Sequence, residues 1–194
     1  MSPFIIFNDI LEKYVGDKPL MELPYRWSEK HRHYHTVNHL TQVLADIEND
    51  YRFKDLSVNK KHALLLAAFF HDIVYDPKRQ DNEEKSIEYF IRSYKGHDPR
   101  MIDTVCEIIE CTKYRKRPTN KLQRIMWDAD NKGFTEGYET LLKNEKLIRK
   151  EFIHLSHKEY KEKRITFLNS FKGLFNSSVD KHLDKLIAYI EKTY

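Results

Sequence analysis

Two side chains that can bind a metal stand at the end of the most apolar stretch of the chain. Residues 67–76 read AAFFHDIVYD, so His71 and Asp72 directly follow a run suited to a buried helix. Histidine and aspartate are seldom buried in such surroundings unless another group engages them. A divalent metal ion would engage both. A hydrogen-bonded core histidine beside a chance aspartate is the alternative when this segment is taken alone.

Two further segments carry the same kinds of side chain. Residues 31–39 read HRHYHTVNH, in which His35 and His39 are four positions apart. In a helix their Cβ atoms would lie about 5–6 Å apart, so both could face one way. Asp128 and Asp130 follow another apolar segment, where an Asp-x-Asp pair more often caps a helix or lines a solvated turn. Together the three segments supply imidazole and carboxylate, a ligand set that several divalent metals accept.

The spacing of apolar residues predicts helices throughout the chain. It predicts a first helix over roughly the first fifteen residues, a connection over residues 20–35 and a second helix from Thr36. A third runs from Ser57 to about Tyr75, where Asp76-Pro77 stops it. Further helices are predicted from Asp81, Asp98 and Thr119, over residues 136–154, and in two segments beyond. We therefore expect an all-α bundle of about eight to ten helices, in one domain over residues 1–194.

Composition narrows the choice of partner and compartment. The 194 residues carry a formal net charge of +4, and acidic and basic residues alternate along nearly every segment. This pattern is typical of solvated helix faces, so we do not expect nucleic acid as the main partner, whereas a small anionic substrate fits. Two cysteines, Cys106 and Cys111, indicate a reduced cytoplasmic protein. We find neither a signal peptide nor a run of about 18 apolar residues that would span a membrane.

The order His … His-Asp … Asp resembles the HD superfamily of metal-dependent phosphohydrolases, which are all-α. Within it, the chain is similar to a group of small predicted HD phosphohydrolases that share four segments. Here these are HRHYHTVNH at residues 31–39, FHDIVY at residues 70–75, DNEEKS at residues 81–86 and DAD at residues 128–130. The likeness continues through IRKE at residues 148–151 and Arg164, and so covers most of the chain.

The resemblance implies a set of metal ligands: His39, His71, Asp72 and Asp130. Asp130 is preferred to Asp128 because the last aspartate of the superfamily usually follows a small residue, here Ala129. Asp128 is then a substitute ligand, or a partner that orients a ligand histidine.

The resemblance also implies catalytic roles. The first segment is similar to the H-x-x-x-H pair of cyclic-nucleotide phosphodiesterases, so His35 is predicted to be a general acid or a phosphate contact. Asp72 would accept the proton of the attacking water. Glu83 would orient that water or hold a histidine, although it is equally explained as a residue in the first turn of a helix.

We expect one divalent ion, and cations that hold the substrate phosphate. In relatives the fifth helix often ends in T-x-x-H, but residues 112–115 here read TKYR and offer no further histidine. The ligand types do not distinguish among Mn, Mg, Fe, Co, Ni and Zn. Each candidate for phosphate binding could instead be ordinary surface charge: Arg32, Lys113, Arg115, Arg149 and Arg164.

The function predicted on this basis is hydrolysis of a phosphomonoester or phosphoanhydride by a metal-activated water. A nucleotide is the favoured substrate. The alternative is a non-catalytic HD module that binds a nucleotide or metal and reports it to a partner, although a complete ligand set argues for catalysis. A third hypothesis, nucleic-acid binding through residues 113–117, would need a longer basic face than this sequence has. The sequence leaves the oligomeric state open, a homo-oligomer included.

Overall fold

The fold of residues 2–194, described by a computed structural model, is made of helices and their connections. Within this range there are twelve α-helices, a 3₁₀-helix at Lys132–Thr135 and no strand beyond an isolated bridge between Val15 and Tyr94. The helices are α1 (Pro3–Ile6), α2 (Asn8–Tyr14), α3 (Asp17–Arg26), α4 (Val37–Asn49), α5 (Tyr51–Lys54), α6 (Val58–Phe70), α7 (Asn82–Ser93), α8 (Pro99–Lys113), α9 (Lys121–Asp130), α10 (Tyr138–Glu151), α11 (His157–Asn169) and α12 (Ser177–Thr193). The predicted all-α class is confirmed.

Helix α6 is the central helix of the larger hydrophobic core. All eight residues from Ala63 to Phe70 are buried, so this helix has no solvated face over its last two turns. It packs against α4, α7, α8 and α9, each of which presents one apolar stripe to it. Burial on every side explains why the segment is apolar nearly all round, and it fixes the position of the residues that follow Phe70.

A second, smaller core joins the C-terminal helices to the rest of the protein. Helices α10 and α11 both pack against α12. Trp127 of α9 is fully buried in this second core, where its ring stacks on Phe171 and Phe175 with centroids 6.3 and 5.3 Å apart. Because α9 contributes to both cores, it links the C-terminal helices to α4 and α6.

Several helix boundaries differ from the sequence prediction. The predicted connection over residues 20–35 is wrong in its first part, because α3 extends to Arg26. Its residue Leu23 and the following Trp27 are fully buried, which anchors this segment, and Pro19 lies in the first turn, where helices tolerate proline. The first predicted helix is divided at Phe7, and Asn120 rather than Thr119 caps α9.

The third predicted helix ends five residues early, at Phe70 instead of Tyr75. The buried guanidinium group of Arg32 donates to the carbonyl oxygens of Asp72 (2.9 Å) and Ile73 (3.2 Å). These carbonyls are therefore satisfied by a side chain 40 residues away in sequence instead of by a continuing helix. The result is a turn that fastens the His-Asp pair to the histidine-rich segment.

Among the helices of residues 2–194, none combines the length and apolarity that crossing a membrane requires.

Candidate metal centre

Three helix ends bring the predicted metal ligands together. His39 lies in the first turn of α4, His71 caps the C-terminal end of α6, Asp72 follows it, and Asp130 is the last residue of α9. Helices α4, α6 and α9 all pack on one another, so these ends converge at one edge of the larger core. The four residues therefore meet although they are separated by up to 91 positions in sequence.

The ligand atoms lie within the span of a single ion. One ligand atom each from His39, His71 and Asp72 falls within 4.8 Å of the others. An Asp130 carboxylate oxygen lies 3.1 Å from His39 Nε2 and 3.5 Å from His71 Nε2, and an Asp72 oxygen lies 3.3 Å from His71 Nε2. His39, His71 and Asp72 thus form the group whose ligand atoms lie within mutual reach, and Asp130 adjoins its two imidazoles.

One ring nitrogen in this cluster lacks a partner. His71 is 1% exposed, and its Nδ1 lies 2.8 Å from the carbonyl oxygen of Ala68, to which it donates. Its Nε2 is the one buried side-chain nitrogen or oxygen within residues 2–194 that makes no hydrogen bond. Since Nδ1 carries the hydrogen, Nε2 of the neutral ring presents a lone pair to the two carboxylates. A cation is the missing partner that suits all of these groups.

The electrostatics of the cluster also favour a cation. Burial lowers the pKa of His71, but the charges of Asp72 and Asp130 outweigh burial and raise it well above its ordinary value. Burial acts to raise the pKa of both carboxyl groups, but in each case other contacts prevail and the pKa is lowered. The charge of His71 lowers the pKa of Asp72, and the hydrogen bond with His39 lowers that of Asp130. Both carboxylates are therefore ionised, and the raised pKa of His71 reflects the same attraction for positive charge at Nε2 that would hold a metal ion.

A second polar cluster lies beside the first and is centred on Glu151, the last residue of α10. Its Oε1 accepts hydrogen bonds from the backbone N–H groups of His33, Tyr34 and His35 at 2.7, 2.7 and 3.0 Å. Its Oε2 accepts from His35 Nδ1 at 2.8 Å and from the hydroxyl of Tyr75 at 2.7 Å. One carboxylate thus fixes both the backbone of the histidine-rich segment and the ring of His35, leaving His35 Nε2 free to face a ligand.

The pairing of His35 with Glu151 shifts both pKa values in the directions expected for an ion pair. Burial raises the pKa of Glu151, but the hydrogen bond and charge of His35 prevail and lower it to about 2. Burial lowers the pKa of His35, but the hydrogen bond to Glu151 prevails and raises it. His35 precedes α4, which begins at Val37, yet its ring centroid lies 5.7 Å from that of His39.

Glu83 occupies the first turn of α7 and is half-buried. Its pKa is raised, chiefly by burial and further by the charge of Asp72. The structure thus places Glu83 near enough to Asp72 for the two carboxylates to influence each other, without a direct hydrogen bond between them.

Asp128 faces away from the metal ligands. Its carboxylate accepts hydrogen bonds from Arg52, Arg117 and Arg124, on the opposite side of α9 from Asp130. Neither of the two roles predicted for Asp128, substitute ligand or partner of a ligand histidine, agrees with this position, because its oxygen atoms are directed at guanidinium groups.

The five basic residues predicted to bind phosphate fall into three groups, which differ in what the side chains contact. Arg32 is 5% exposed and donates to Glu29 and to three backbone carbonyls, and Arg149 donates to the carbonyls of Phe152 and Leu155. Their guanidinium groups are used inside the protein, so the predicted phosphate role does not suit them. Lys113 lies on the surface and pairs with Glu84.

Arg115 and Arg164, by contrast, lie on one aromatic ring. Their guanidinium carbons are 4.7 and 4.8 Å from the ring centroid of Phe167. Arg164 donates from Nε to Glu145 at 2.7 Å, and its charge partly opposes the rise in the pKa of Tyr34 that burial chiefly causes. The ring of Tyr34 in turn lies 5.1 Å from that of His39, so Tyr34 stands between Arg164 and a predicted metal ligand.

Sequence reasoning missed Glu151 and Tyr34. Glu151 is 3% exposed, which is unusual for a glutamate, but it ends a helix rich in Lys and Glu, and nothing local distinguishes it from its solvated neighbours. Tyr34 lies inside the histidine-rich segment, and its position next to His35 was the one sequence feature that could have indicated a role in the site. Burial, and then the charge of Asp130, raise the pKa of Tyr34, so its hydroxyl stays protonated.

Comparison with known proteins identifies the family. The pattern of the HD domain matches residues 9–132, which is more than half of the chain and includes His39, the His-Asp pair and Asp130. The chain therefore belongs to the HD domain family. Neither the curated proteins nor the solved structures include a match to this chain.

Proposed function

We propose that this protein is a metal-dependent phosphohydrolase that cleaves a phosphomonoester or phosphoanhydride, with a nucleotide as the favoured substrate. The observation that carries the proposal is the unpartnered Nε2 of buried His71, which faces two carboxylates and a second imidazole. A group that costs stability in this way is typical of a binding site and not of a packed core.

One divalent ion would be held by His39, His71, Asp72 and Asp130. Such an ion supplies Lewis acidity, which favours ionisation of a water molecule and neutralises negative charge on phosphoryl oxygens. Two imidazoles and two carboxylates are compatible with several first-row metals, so the ligand set does not select one of them.

Proton transfer would be divided between two side chains of this site. Asp72 would accept the proton of the attacking water, a role supported by its ionised carboxylate, which lies 3.3 Å from His71 Nε2. His35 would donate a proton from Nε2 to the leaving oxygen, because its Nδ1–H is held by Glu151 and its pKa is raised. Glu83 would act on Asp72 or on the attacking water from the first turn of α7.

The substrate phosphate would be bound on the side of Tyr34. The Tyr34 hydroxyl and the guanidinium groups of Arg115 and Arg164 would be the donors, because both arginines share the ring of Phe167 and two cations suit a polyanionic phosphate. Arg164 and Glu151 both lie beyond the residues matched to the HD domain. We therefore propose that residues 1–194 act as one catalytic unit.

The test combines a metal measurement with an activity measurement. Purified protein would be stripped with EDTA, reloaded with Mn²⁺, Mg²⁺, Co²⁺ or Ni²⁺, and incubated with a panel of nucleoside mono-, di- and triphosphates while phosphate release is followed. We expect release from at least one nucleotide, abolished in Asp72→Asn and retained in Asp103→Asn, which changes an exposed aspartate on α8.

Two results would contradict the proposal. The first is the absence of turnover on any phosphate ester with all four metals. The second is a nucleotide that binds tightly and is recovered unchanged, which would indicate a regulatory module that binds without catalysis.

A further inference from the structure

Three arginines converge on one carboxylate on the far side of α9 from the metal ligands. Arg52 of α5, Arg117 of the α8–α9 connection and Arg124 of α9 each donate to Asp128, at 2.8, 3.0 and 3.2 Å. Asp128 and Asp130 are two positions apart on this helix, and a step of two positions turns the side chain by about 200° around the axis. The arginines are thereby separated from the metal centre by the thickness of α9.

The charges of this arginine cluster do not balance. Asp50 also pairs with Arg52, so three guanidinium groups face two carboxylates. Lys121 adds further positive potential, since its charge contributes to the lowered pKa of Asp50, which hydrogen bonds from Arg52 chiefly cause. Guanidinium groups held this close repel one another, and an additional anion would offset that repulsion.

Each guanidinium also keeps one terminal nitrogen that is not hydrogen-bonded within residues 2–194. These are Nη1 of Arg52, Nη1 of Arg117 and Nη2 of Arg124. The three side chains are 19%, 38% and 30% exposed, so each is partly accessible to a ligand from solvent. Planar guanidinium donors arranged in this way match the oxygen atoms of a phosphate group.

An exposed aromatic residue lies at the edge of the cluster. Tyr51 is 77% exposed, and the guanidinium carbon of Arg52 lies 5.9 Å from its ring centroid. A tyrosine ring that is free of packing and next to a phosphate-binding cation can stack against a nucleobase.

We propose that Arg52, Arg117 and Arg124 form a second anion site, which binds the phosphate groups of a small phosphorylated ligand whose base stacks on Tyr51. The site is separate from the metal centre and does not depend on the proposed hydrolysis. A simple clamp between α5 and α9 would need only one arginine on Asp128, whereas the surplus cations and their free nitrogens suit a ligand.

The first test measures binding in the absence of metal. EDTA-treated full-length protein would be titrated with pyrophosphate and with ADP by isothermal titration calorimetry at low and moderate salt. We expect salt-sensitive binding of both, weakened about tenfold or more in Arg117→Gln/Arg124→Gln, because this variant removes two positive charges and their charge-assisted hydrogen bonds. The control Arg92→Gln/Arg100→Gln removes the same charge from exposed positions on α7 and α8 and should bind normally.

A second variant should increase the affinity for pyrophosphate, a result that cannot be caused by loss of folding. Asp128 competes with the ligand for the same guanidinium groups, so Asp128→Asn should bind pyrophosphate more tightly than the wild type, by about threefold to tenfold. Tyr51→Ala should weaken ADP binding and leave pyrophosphate binding unchanged.

Several outcomes would overturn the proposal. They are the absence of pyrophosphate binding, equal binding by the two double variants, weaker binding by Asp128→Asn, and binding of single-stranded oligonucleotides by a protein that ignores pyrophosphate. Loss of binding in metal-free Asp130→Asn would also overturn it, because the ligand would then occupy the metal centre instead.

Discussion

The metal ligands and the Glu151 cluster are adjacent, yet they are built in opposite ways. In the ligand cluster, two carboxylates crowd around His71, whose Nε2 has no hydrogen-bond partner within residues 2–194. In the other cluster, both oxygen atoms of Glu151 are fully used, by three backbone N–H groups, one imidazole and one phenol. The first arrangement is incomplete without a further group, whereas the second is complete and holds His35 in a fixed orientation.

The residues of the two clusters also lie in different parts of the sequence. All four proposed metal ligands lie within residues 9–132, the part matched to the HD domain, whereas Glu151 comes from α10 beyond it. We infer from this division that the family supplies the ligand set and that the C-terminal helices orient the groups that meet the substrate. The following experiments test this division, from the largest expected effect to the smallest.

The two aspartates of α9 offer the strongest test. Asp130→Asn should abolish stoichiometric metal content and lower phosphate release by at least about 10³-fold, because it replaces an ionised ligand beside His39 with a neutral amide. Asp128→Asn, two positions away, should keep its metal. Metal content by inductively coupled plasma mass spectrometry, and the rise in Tm on adding Mn²⁺, would separate the two variants. Equal metal loss in both would show that the position of Asp130 is not special.

The stability of the Glu151 cluster should depend on acid. The pKa of Glu151 falls from 4.5 to about 2 on folding. Its ionised carboxylate therefore contributes fully to the free energy of unfolding above about pH 4.5, and this contribution is lost as the pH falls through about 2. The shift corresponds to about 3 kcal/mol. Urea denaturation of the wild type and Glu151→Gln should give a stability difference that is largest between pH 4.5 and 6.5, where Glu151 is ionised and His35 is protonated, and that shrinks steadily below pH 4.5. A difference that is constant over this range would refute the pairing.

The same variant should separate orientation from metal binding. Glu151→Gln keeps the size of the side chain but weakens its hold on His35, so kcat should fall about 10²-fold, within the range for loss of general acid catalysis. Its metal content should match that of the wild type, because the hydrogen bonds of Glu151 go to His33, Tyr34, His35 and Tyr75 and not to the four ligands. Loss of metal from this variant would show that the two clusters are one.

The smallest effect is expected at the outer cation. Arg115 is exposed and lies on Phe167, so Arg115→Gln should raise KM by about fivefold and leave kcat nearly unchanged, as for loss of a contact made equally in the ground and transition states. The neighbouring Lys116 is also exposed, and Lys116→Gln, which removes the same charge, is the matched control. A fall in kcat for Arg115→Gln would place its guanidinium at the reacting phosphate.

Features of the fold and of the site could be predicted where neighbouring residues determine them, and could not where residues distant in sequence do. The fold class followed from helical periodicity, and the metal ligands could be proposed because His71 and Asp72 are conspicuous at the end of an apolar run. The end of α6 at Phe70 could not be predicted, since it depends on hydrogen bonds from Arg32, a distant residue.

The roles of charged residues were the least predictable part. Glu151 is separated by 116 positions from the ring it holds, and its charged helix gives no sign that it is buried. Arg149 and Arg115 look alike in sequence, but one closes a helix end and the other lies on a surface aromatic ring. Which carboxylate or carbonyl a basic side chain meets is decided by tertiary packing, which the spacing of charges along the chain does not encode.

The directions of the three helices at the metal centre add a field of their own. The peptide dipoles of a helix leave partial negative charge at its C-terminal end and partial positive charge at its N-terminal end. Helices α6 and α9 end at the ligands and direct their negative ends there, whereas α4 begins beside His39 and directs its positive end to the same place. The backbone alone therefore favours a cation next to an anion at this point, before any side chain is counted.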